Sequence, residues 1–127
     1  MVEVIATDEF AGWYGGLDDG EVAAIDVVVE RLQRDGLTLG EPHSSAIHGS
    51  RHALRELRPK QGRSPLRVFY VFDPQREAVL LIGGDKSGES SARFYGRMVP
   101  QADAIFDEYL AEQARGEHPG PVDVDGD

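Results

Sequence analysis

The sequence contains no cysteine, and this excludes disulfide bonds, thiolate metal sites and cysteine nucleophiles. It also has no apolar run near the roughly 18–20 residues that a membrane-spanning helix requires. Its N-terminal segment lacks the basic start and the long apolar stretch of a signal peptide. We therefore expect a cytoplasmic protein that makes no contact with a membrane.

Basic residues are absent from the first 30 positions, and the net charge of the whole chain is −10. Such a balance argues against binding to nucleic acid, because affinity for phosphates comes largely from lysine and arginine. Residues 51–67 reverse it locally, since six basic residues there against the single acid Glu56 leave a charge of +5. This segment is either an RNA-binding surface or a solvated pair of strands that offsets acidic helices. The candidates for RNA binding are Arg51, Arg55, Arg58, Lys60 and Arg63.

Length and composition indicate one globular domain. Of the 127 residues, 40% are hydrophobic and 28% are charged, which is typical of such a domain. We expect the domain to cover residues 1–114. Residues 115–127 combine glycine, proline and acidic residues without an apolar stripe, so we predict an acidic, disordered tail there.

The first part of the chain predicts a strand followed by two helices. Val2–Thr7 is rich in β-branched residues and alternates as a strand does. Apolar spacing predicts helices over Phe10–Leu17 and Asp19–Asp35, and Asp18 with Glu21 forms a capping box before the second one. The apolar stripe of the second helix consists of Val22, Ile25, Val28, Val29 and Leu32. The two helices are expected to form an antiparallel hairpin.

The second part predicts a sheet and a last helix. Residues 36–52 show no period and are interpreted as a loop. The sequence then predicts three strands that form an antiparallel meander: Ala53–Arg58, Leu66–Asp73 and Ala78–Ile82. Residues 91–113 are helical in pattern, and Pro100 is expected to divide them into two helices. The chain is thus predicted to be an α+β domain, with a small antiparallel sheet packed against the helical hairpin and a C-terminal helix.

Four strings occur within this order: Gly49-Ser50-Arg51-His52, Leu54-Arg55-Glu56-Leu57-Arg58, Leu66-Arg67-Val68-Phe69-Tyr70-Val71-Phe72-Asp73 and Leu81-Ile82-Gly83-Gly84-Asp85-Lys86. Together they resemble the RelE/ParE superfamily of bacterial toxins, and within it the HigB-like branch related to phage Gp49 proteins. The resemblance covers about residues 2–113. It implies a RelE-like fold and a metal-independent endoribonuclease that cleaves mRNA, usually on the ribosome. It also implies a cognate antitoxin, commonly a HigA-like helix-turn-helix protein. The toxin itself would be associated with DNA only indirectly, through this antitoxin.

Arg67 is the first candidate for catalysis. RNA cleavage without a metal requires a deprotonated 2′-hydroxyl, stabilised phosphoryl oxygens and a protonated leaving oxygen. Arginine suits the second task because its planar fork binds two oxygens and keeps its charge. The resemblance places Arg67 at the catalytic strand arginine of the family. The alternative is a cross-strand ion pair between Arg67 and Glu56.

The resemblance implies three further catalytic candidates. Lys86 corresponds to a catalytic base or acid, and Tyr95 lies near an aromatic residue that stacks on a base or supports proton transfer. Core packing is an equal alternative for Tyr95. Where ribosome-dependent relatives carry paired lysines, this chain has Leu54 and Glu56. His52 is therefore a candidate for the missing base, as is Glu56.

Other functions stay open on the sequence alone. A ParE-like protein on the same fold would poison DNA gyrase, and a non-catalytic module would bind only a partner protein, using its acidic helical hairpin. The antitoxin is expected to cover the basic hairpin or to displace the last helix. His48 and His52 have the i, i+4 spacing of metal ligands, but no third ligand accompanies them. We expect neither a metal nor a cofactor.

Overall fold

A computed structural model describes residues 1–116 of the protein. Within this range five strands and three α-helices follow one another: β1 (Val4–Ala6), α1 (Asp8–Gly15), α2 (Asp19–Asp35), β2 (Ser44–Ala46), β3 (Arg55–Leu57), β4 (Leu66–Phe72), β5 (Ala78–Asp85) and α3 (Ser91–Ala114). None of these helices combines the length and the apolar character that crossing a membrane requires. The predicted acidic tail lies outside the described residues, apart from its first two positions.

The strands form one mixed sheet in the order β1-β5-β4-β3-β2. β1 pairs parallel with β5, and the other neighbours pair antiparallel. The helices α1 and α2 cover one face, and α3 covers the other. β4 and β5 are therefore buried almost throughout.

The predicted α+β class is confirmed, and the architecture is compatible with a RelE-like fold. Two predictions about the sheet were wrong. The N-terminal strand is parallel to its neighbour, because alternation reveals a strand but not the direction of its partner. The predicted loop over residues 36–52 contains β2, which pairs with β3 through its backbone although it has no β-branched residue.

The two predicted helices form, with α2 at the predicted bounds and α1 shifted two residues toward the N-terminus. Asp18 Oδ1 accepts a hydrogen bond from the Glu21 backbone N–H at 2.7 Å, and Glu21 Oε1 accepts one from the Asp18 N–H at 3.0 Å. Both donors would otherwise lack a partner at the start of α2. Of the predicted stripe, three members are buried and two are half-buried: Ile25, Val28 and Leu32, then Val22 and Val29.

The predicted break at Pro100 was wrong, because α3 continues through the proline. An interior proline costs a helix about 3 kcal/mol. Met98, Val99 and Ala102 surround it and are buried against the sheet, and this burial holds the two turns in one helix. A single helix consequently spans the sheet from the candidate site to the opposite end.

The Gly83-Gly84 pair lies inside β5 and is buried there. A Cβ atom at Gly83 would lie 2.3 Å from the ring of Trp13, and one at Gly84 would lie 3.0 Å from the ring of Phe94. The two glycines therefore admit one aromatic side chain on each face of the sheet. They bring α1 and α3 close to β5, directly before Lys86.

Candidate functional site

A groove runs between β2, the loop after it and the N-terminal half of α3. It consists of two adjoining hollows of about 290 and 440 Å³, and His48 and Tyr95 line both. The other residues of the first hollow are Ala46, Ile47 and Glu56. Those of the second hollow are Gly49, Arg51, Gly96, Val99, Pro100 and Asp103.

Glu56 of β3 lines the first hollow although its exposed fraction is only 5%. Its Oε1 accepts a hydrogen bond from the Tyr95 hydroxyl at 2.7 Å. The same oxygen lies 3.7 Å from Nε of Arg67, and Oε2 lies 4.0 Å from Nε of Arg58. Neither Nε has a hydrogen-bond partner among the described residues. One carboxylate thus faces two guanidinium groups that retain a free N–H.

Arg67 of β4 has an exposed fraction of 4%. Its Nη1 donates hydrogen bonds to the backbone oxygens of Ser64 at 2.7 Å and of Leu66 at 2.8 Å. These bonds and the ion pair to Glu56 fix the guanidinium in one orientation. The ion pair anticipated as the alternative role of Arg67 is therefore present in the structure. This ion pair leaves the N–H of Arg67 Nε without a hydrogen-bond partner among the described residues.

Tyr95 of α3 connects the cluster to the groove. Its ring packs edge-on against Phe94 and Phe69, with centroid distances of 5.1 and 6.1 Å. Burial, followed by the hydrogen bond to the Glu56 carboxylate, raises the pKa of Tyr95 to about 12, while the charge of Arg67 acts in the opposite direction. The hydroxyl is consequently a donor at neutral pH. Lys86 Nζ lies 5.3 Å from the centroid of the same ring, within range of a cation–π interaction.

We call Glu56, Arg58, Arg67, Lys86 and Tyr95 the central cluster. Its three cations exceed its one anion, so it carries a formal charge of +2. Arg58 also pairs with the exposed Glu41 at 3.4 Å. The guanidinium of Arg58 lies beside Gly62, whose φ of +89° gives the turn after β3 a shape that favours glycine.

The structure places His52 away from the central cluster. His52 Nε2 lies 2.8 Å from Asp107 Oδ1, and its ring packs edge-on against Phe106. Asp107 also accepts a hydrogen bond from Arg51. The hydrogen bond with His52 and, to a smaller extent, that with Arg51 lower the pKa of Asp107. Asp107 is 12 residues after Tyr95 on α3, a rise of about 18 Å. His48, which sequence reasoning assigned only to a weak metal motif, is the histidine that lines the groove.

The remaining candidates for RNA binding lie elsewhere. Arg55 is on the face of β3 that points to the helical hairpin, where its Nε donates to Ser44 Oγ at 3.0 Å and to the Tyr70 hydroxyl at 3.3 Å. Lys60 and Arg63 are exposed in the turn between β3 and β4. Near them lies a separate hollow between that turn and the start of α2. The basic segment 51–67 is therefore divided among several places and is not one surface.

Sequence reasoning missed the residues that the segment 41–49 contributes to the site. Glu41, Ala46 and Ile47 were assigned to a loop, and their order shows no motif that could have revealed them. The spacing of His48 and His52 does not produce a metal site in the described range. No group of three His, Asp or Glu side chains in residues 1–116 has an arrangement suited to a metal ion.

Comparisons with known proteins find related sequences. A family model described as "Phage derived protein Gp49-like (DUF891)" matches residues 13–107. The protein named "Putative toxin HigB2" from Mycobacterium tuberculosis (strain ATCC 25618 / H37Rv) is 36% identical over 107 residues, which are 83% of this chain and 53% of that protein. "Putative toxin HigB3" from the same organism is 33% identical over 114 residues, which are 89% of this chain and 97% of that protein. The chain thus spans about half the length of the first relative and nearly all of the second.

The family match includes α2, every strand from β2 to β5 and most of α3, and hence the whole central cluster. Both relatives exceed 30% identity over more than two thirds of the chain. The chain therefore belongs to the phage-derived Gp49-like family, on its HigB-like branch.

Proposed function

We propose that this protein is the toxin of a toxin–antitoxin pair and that it acts in the cytoplasm as a metal-independent endoribonuclease on mRNA. The central cluster is the observation that carries the proposal. It combines an immobilised arginine, a lysine and a neutral tyrosine hydroxyl beside a groove. The names of the two relatives support the toxin role and, with it, a cognate antitoxin.

The chemistry is a transfer of phosphorus from one oxygen to another within the RNA. His48 takes the proton of the 2′-hydroxyl, because a histidine is the usual general base near pH 7. The O2′–P bond forms and the P–O5′ bond breaks, while the Lys86 ammonium gives a proton to O5′. The products are a 2′,3′-cyclic phosphate and a 5′-hydroxyl.

Arg67 stabilises the charge that develops on the phosphoryl oxygens during this step. Its guanidinium is held in one orientation before the substrate arrives, so contact with a phosphate requires movement of the groups that cover Arg67 rather than of its side chain. The Tyr95 hydroxyl and the Glu56 carboxylate keep that orientation. Arg58 binds a neighbouring phosphate and contributes to affinity more than to rate.

The histidine comparison tests this assignment. His48→Gln should lose most of the cleavage rate, because the base is removed. His52→Gln should retain the rate and affect only the contacts with Asp107 and Phe106. Cleavage is measured on mRNA, free and bound to ribosomes, as the appearance of new 5′-hydroxyl ends. If His52→Gln is the inactive variant, the base has been assigned to the wrong residue.

Expression in cells tests the toxin role itself. Induction should arrest growth and produce new mRNA ends, and co-expression of the cognate antitoxin should restore growth. The exposed Arg34 at the end of α2 provides a control, since Arg34→Ala should remain toxic. Growth arrest with cleaved DNA and intact mRNA would instead support a gyrase poison.

A further inference from the structure

The loop between β2 and β3 carries His48 to the groove. At its start, the backbone N–H of Ile47 donates to the Leu54 oxygen at 3.0 Å, and the Ile47 side chain packs against the core between the sheet and α3. His48 and Gly49 follow, and both are exposed. A Cβ atom at Gly49 would meet no heavy atom of the described residues within 4 Å, so packing does not hold this part of the loop. The orientation of His48 therefore depends on the next fixed point along the chain.

Ser50 is that fixed point. Its hydroxyl donates to Oδ1 of Asp103 on α3 at 2.5 Å and accepts a hydrogen bond from the His52 backbone N–H at 2.9 Å. Loop backbone, hydroxyl and carboxylate thus form one continuous chain of hydrogen bonds, in which each bond strengthens the next. The exposed fraction of Asp103 is only 4%, and a hydrogen bond to a carboxylate that is shielded from water is among the stronger ones in proteins.

A second carboxylate faces the same loop about one helical turn further along α3. Asp107 pairs with Arg51 and with the ring of His52, but about half of its side chain is exposed, as is more than half of that of Arg51. Ion pairs at such exposure contribute little to stability. They also hold the loop at residues that lie beyond Ser50 as seen from His48. The two carboxylates therefore differ in burial and in distance along the chain from the groove.

We propose that Asp103 is a positioning residue, which through Ser50 anchors the loop on α3 and thereby holds the His48 imidazole in the groove. This inference rests on the proposed ribonuclease function. Only Gly49 separates His48 from Ser50, so loss of the anchor displaces the imidazole directly. A general base must lie within hydrogen-bond reach of the proton that it takes, and a displacement of about 1 Å can lower a rate about 10²-fold. Asp103 supplies an acceptor for Ser50 and does not take part in the reaction.

Two substitutions remove the anchoring hydrogen bond from its two sides. Ser50→Ala and Asp103→Ala should each lower kcat for mRNA cleavage, free or on ribosomes, by about 10- to 100-fold. KM should change much less, because the arginines that contact phosphates are unaltered. The double variant should be no slower than the slower single variant, because both substitutions remove the same bond. Ser50→Ala deletes one oxygen from a half-buried loop residue and is expected to fold even if Asp103→Ala does not, which thermal unfolding checks.

Two matched variants separate anchoring from charge and from surface pairing. Asp103→Asn retains an amide oxygen for Ser50 and should keep most of kcat. Asp107→Ala removes the exposed carboxylate that faces the same loop and should leave kcat near the wild-type value.

Nuclear magnetic resonance measures the loop independently of activity. Relaxation of the ¹⁵N nuclei of His48 and Gly49 should show motion of larger amplitude in Ser50→Ala and Asp103→Ala than in the wild-type protein. In Asp103→Asn and Asp107→Ala the relaxation should resemble that of the wild type. A folded Ser50→Ala protein with the wild-type kcat would overturn the inference, whether or not its loop moves more. So would an Asp103→Asn protein that is as slow as Asp103→Ala, because charge would then matter rather than the anchor.

The two proposals fail in different ways. If the wild-type protein cleaves RNA and Ser50→Ala cleaves it equally fast, the positioning role is wrong and the ribonuclease function stands. If the loop moves more in both alanine variants but the wild-type protein forms no 5′-hydroxyl ends, the anchor is supported and the ribonuclease function is wrong. Unchanged loop motion in a wild-type background without cleavage would refute both.

Discussion

Replacing Arg67 separates its part in catalysis from its part in stability. Arg67→Ala removes two hydrogen bonds to backbone oxygens and leaves Glu56 without its nearer guanidinium. Breaking a buried ion pair by removing one partner costs about 3–5 kcal/mol. Tyr95 and Arg58 still face the carboxylate, so we expect the free energy of unfolding to fall by about 3 kcal/mol. The free energy of unfolding of a typical domain is about 5–15 kcal/mol, so the variant should be folded at low temperature.

Arg67→Ala is expected to lower the cleavage rate by more than the loss of folded protein explains. In the proposed mechanism Arg67 acts mainly in the transition state, and loss of one preorganised donor of this kind lowers a rate about 10²- to 10³-fold. Cleavage is measured at a temperature where circular dichroism shows Arg67→Ala to be folded. RNA affinity, measured on an RNA that cannot be cleaved, should change much less.

Arg67→Lys serves as the matched variant. An ammonium restores a positive charge beside Glu56, so part of the stability should return, but it cannot bind two phosphoryl oxygens in a plane and should not rescue the rate. Arg34→Ala controls for the loss of an arginine at the surface. A folded Arg67→Ala protein that cleaves RNA at the wild-type rate would refute the catalytic role. So would a Lys variant that recovers rate and stability in parallel.

Three further substitutions test packing, the tyrosine hydroxyl and acid stability. Gly83→Ala should destabilise the protein by about 1–3 kcal/mol, because its Cβ would lie 2.3 Å from the ring of Trp13, and chemical denaturation measures the change. Gly40→Ala is the control, since a Cβ atom there meets open space and should have little effect. Tyr95→Phe should cost about 1.5–3 kcal/mol and lower the cleavage rate while RNA binding persists, and Tyr14→Phe, whose bond to a carboxylate is exposed, should cost less. Burial alone would raise the pKa of Asp73, but hydrogen bonds from a backbone N–H and neighbouring side chains outweigh it and lower the pKa below 3.8. The stability that Asp73 confers is therefore present above pH of about 4 and lost as pH falls through the folded-state pKa. Asp73→Asn should lower Tm at pH 7, and its difference from wild type should shrink as the pH is lowered below about 4.

The fold was most predictable where local chemistry determines structure. The capping box at Asp18 and Glu21 depends only on neighbouring residues, and the stripe that includes Ile25 depends only on helical spacing. Tertiary contacts decided the features that sequence reasoning missed. Pro100 remains in a helix because the residues around it are buried, and Ser44–Ala46 is a strand because β3 offers it a free edge.

The candidate site could be predicted only in part for the same reason. Arg67, Lys86 and Tyr95 come together because the three elements that carry them meet at one end of the sheet. The role of the remaining basic segment depends on strand alternation and on the path of a loop. Alternation places Arg55 on the opposite face from Glu56, and the loop brings His48 rather than His52 to the groove.

The position of the central cluster reconciles the proposed RNA site with a net charge of −10 for the whole chain. The acidic helices α1 and α2 cover one face of the sheet, and the cluster lies on the face covered by α3. The sheet separates the acidic helices from the cluster, and salt at physiological strength screens exposed charges over about 8 Å. A phosphate beside Arg67 therefore interacts mainly with the local charge of +2 and only weakly with the acidic helices. Arg51 is already paired with carboxylates on α3, so it adds little to this local charge. On the proposed function, we therefore expect the affinity for RNA to depend less on salt concentration than that of a strongly basic protein.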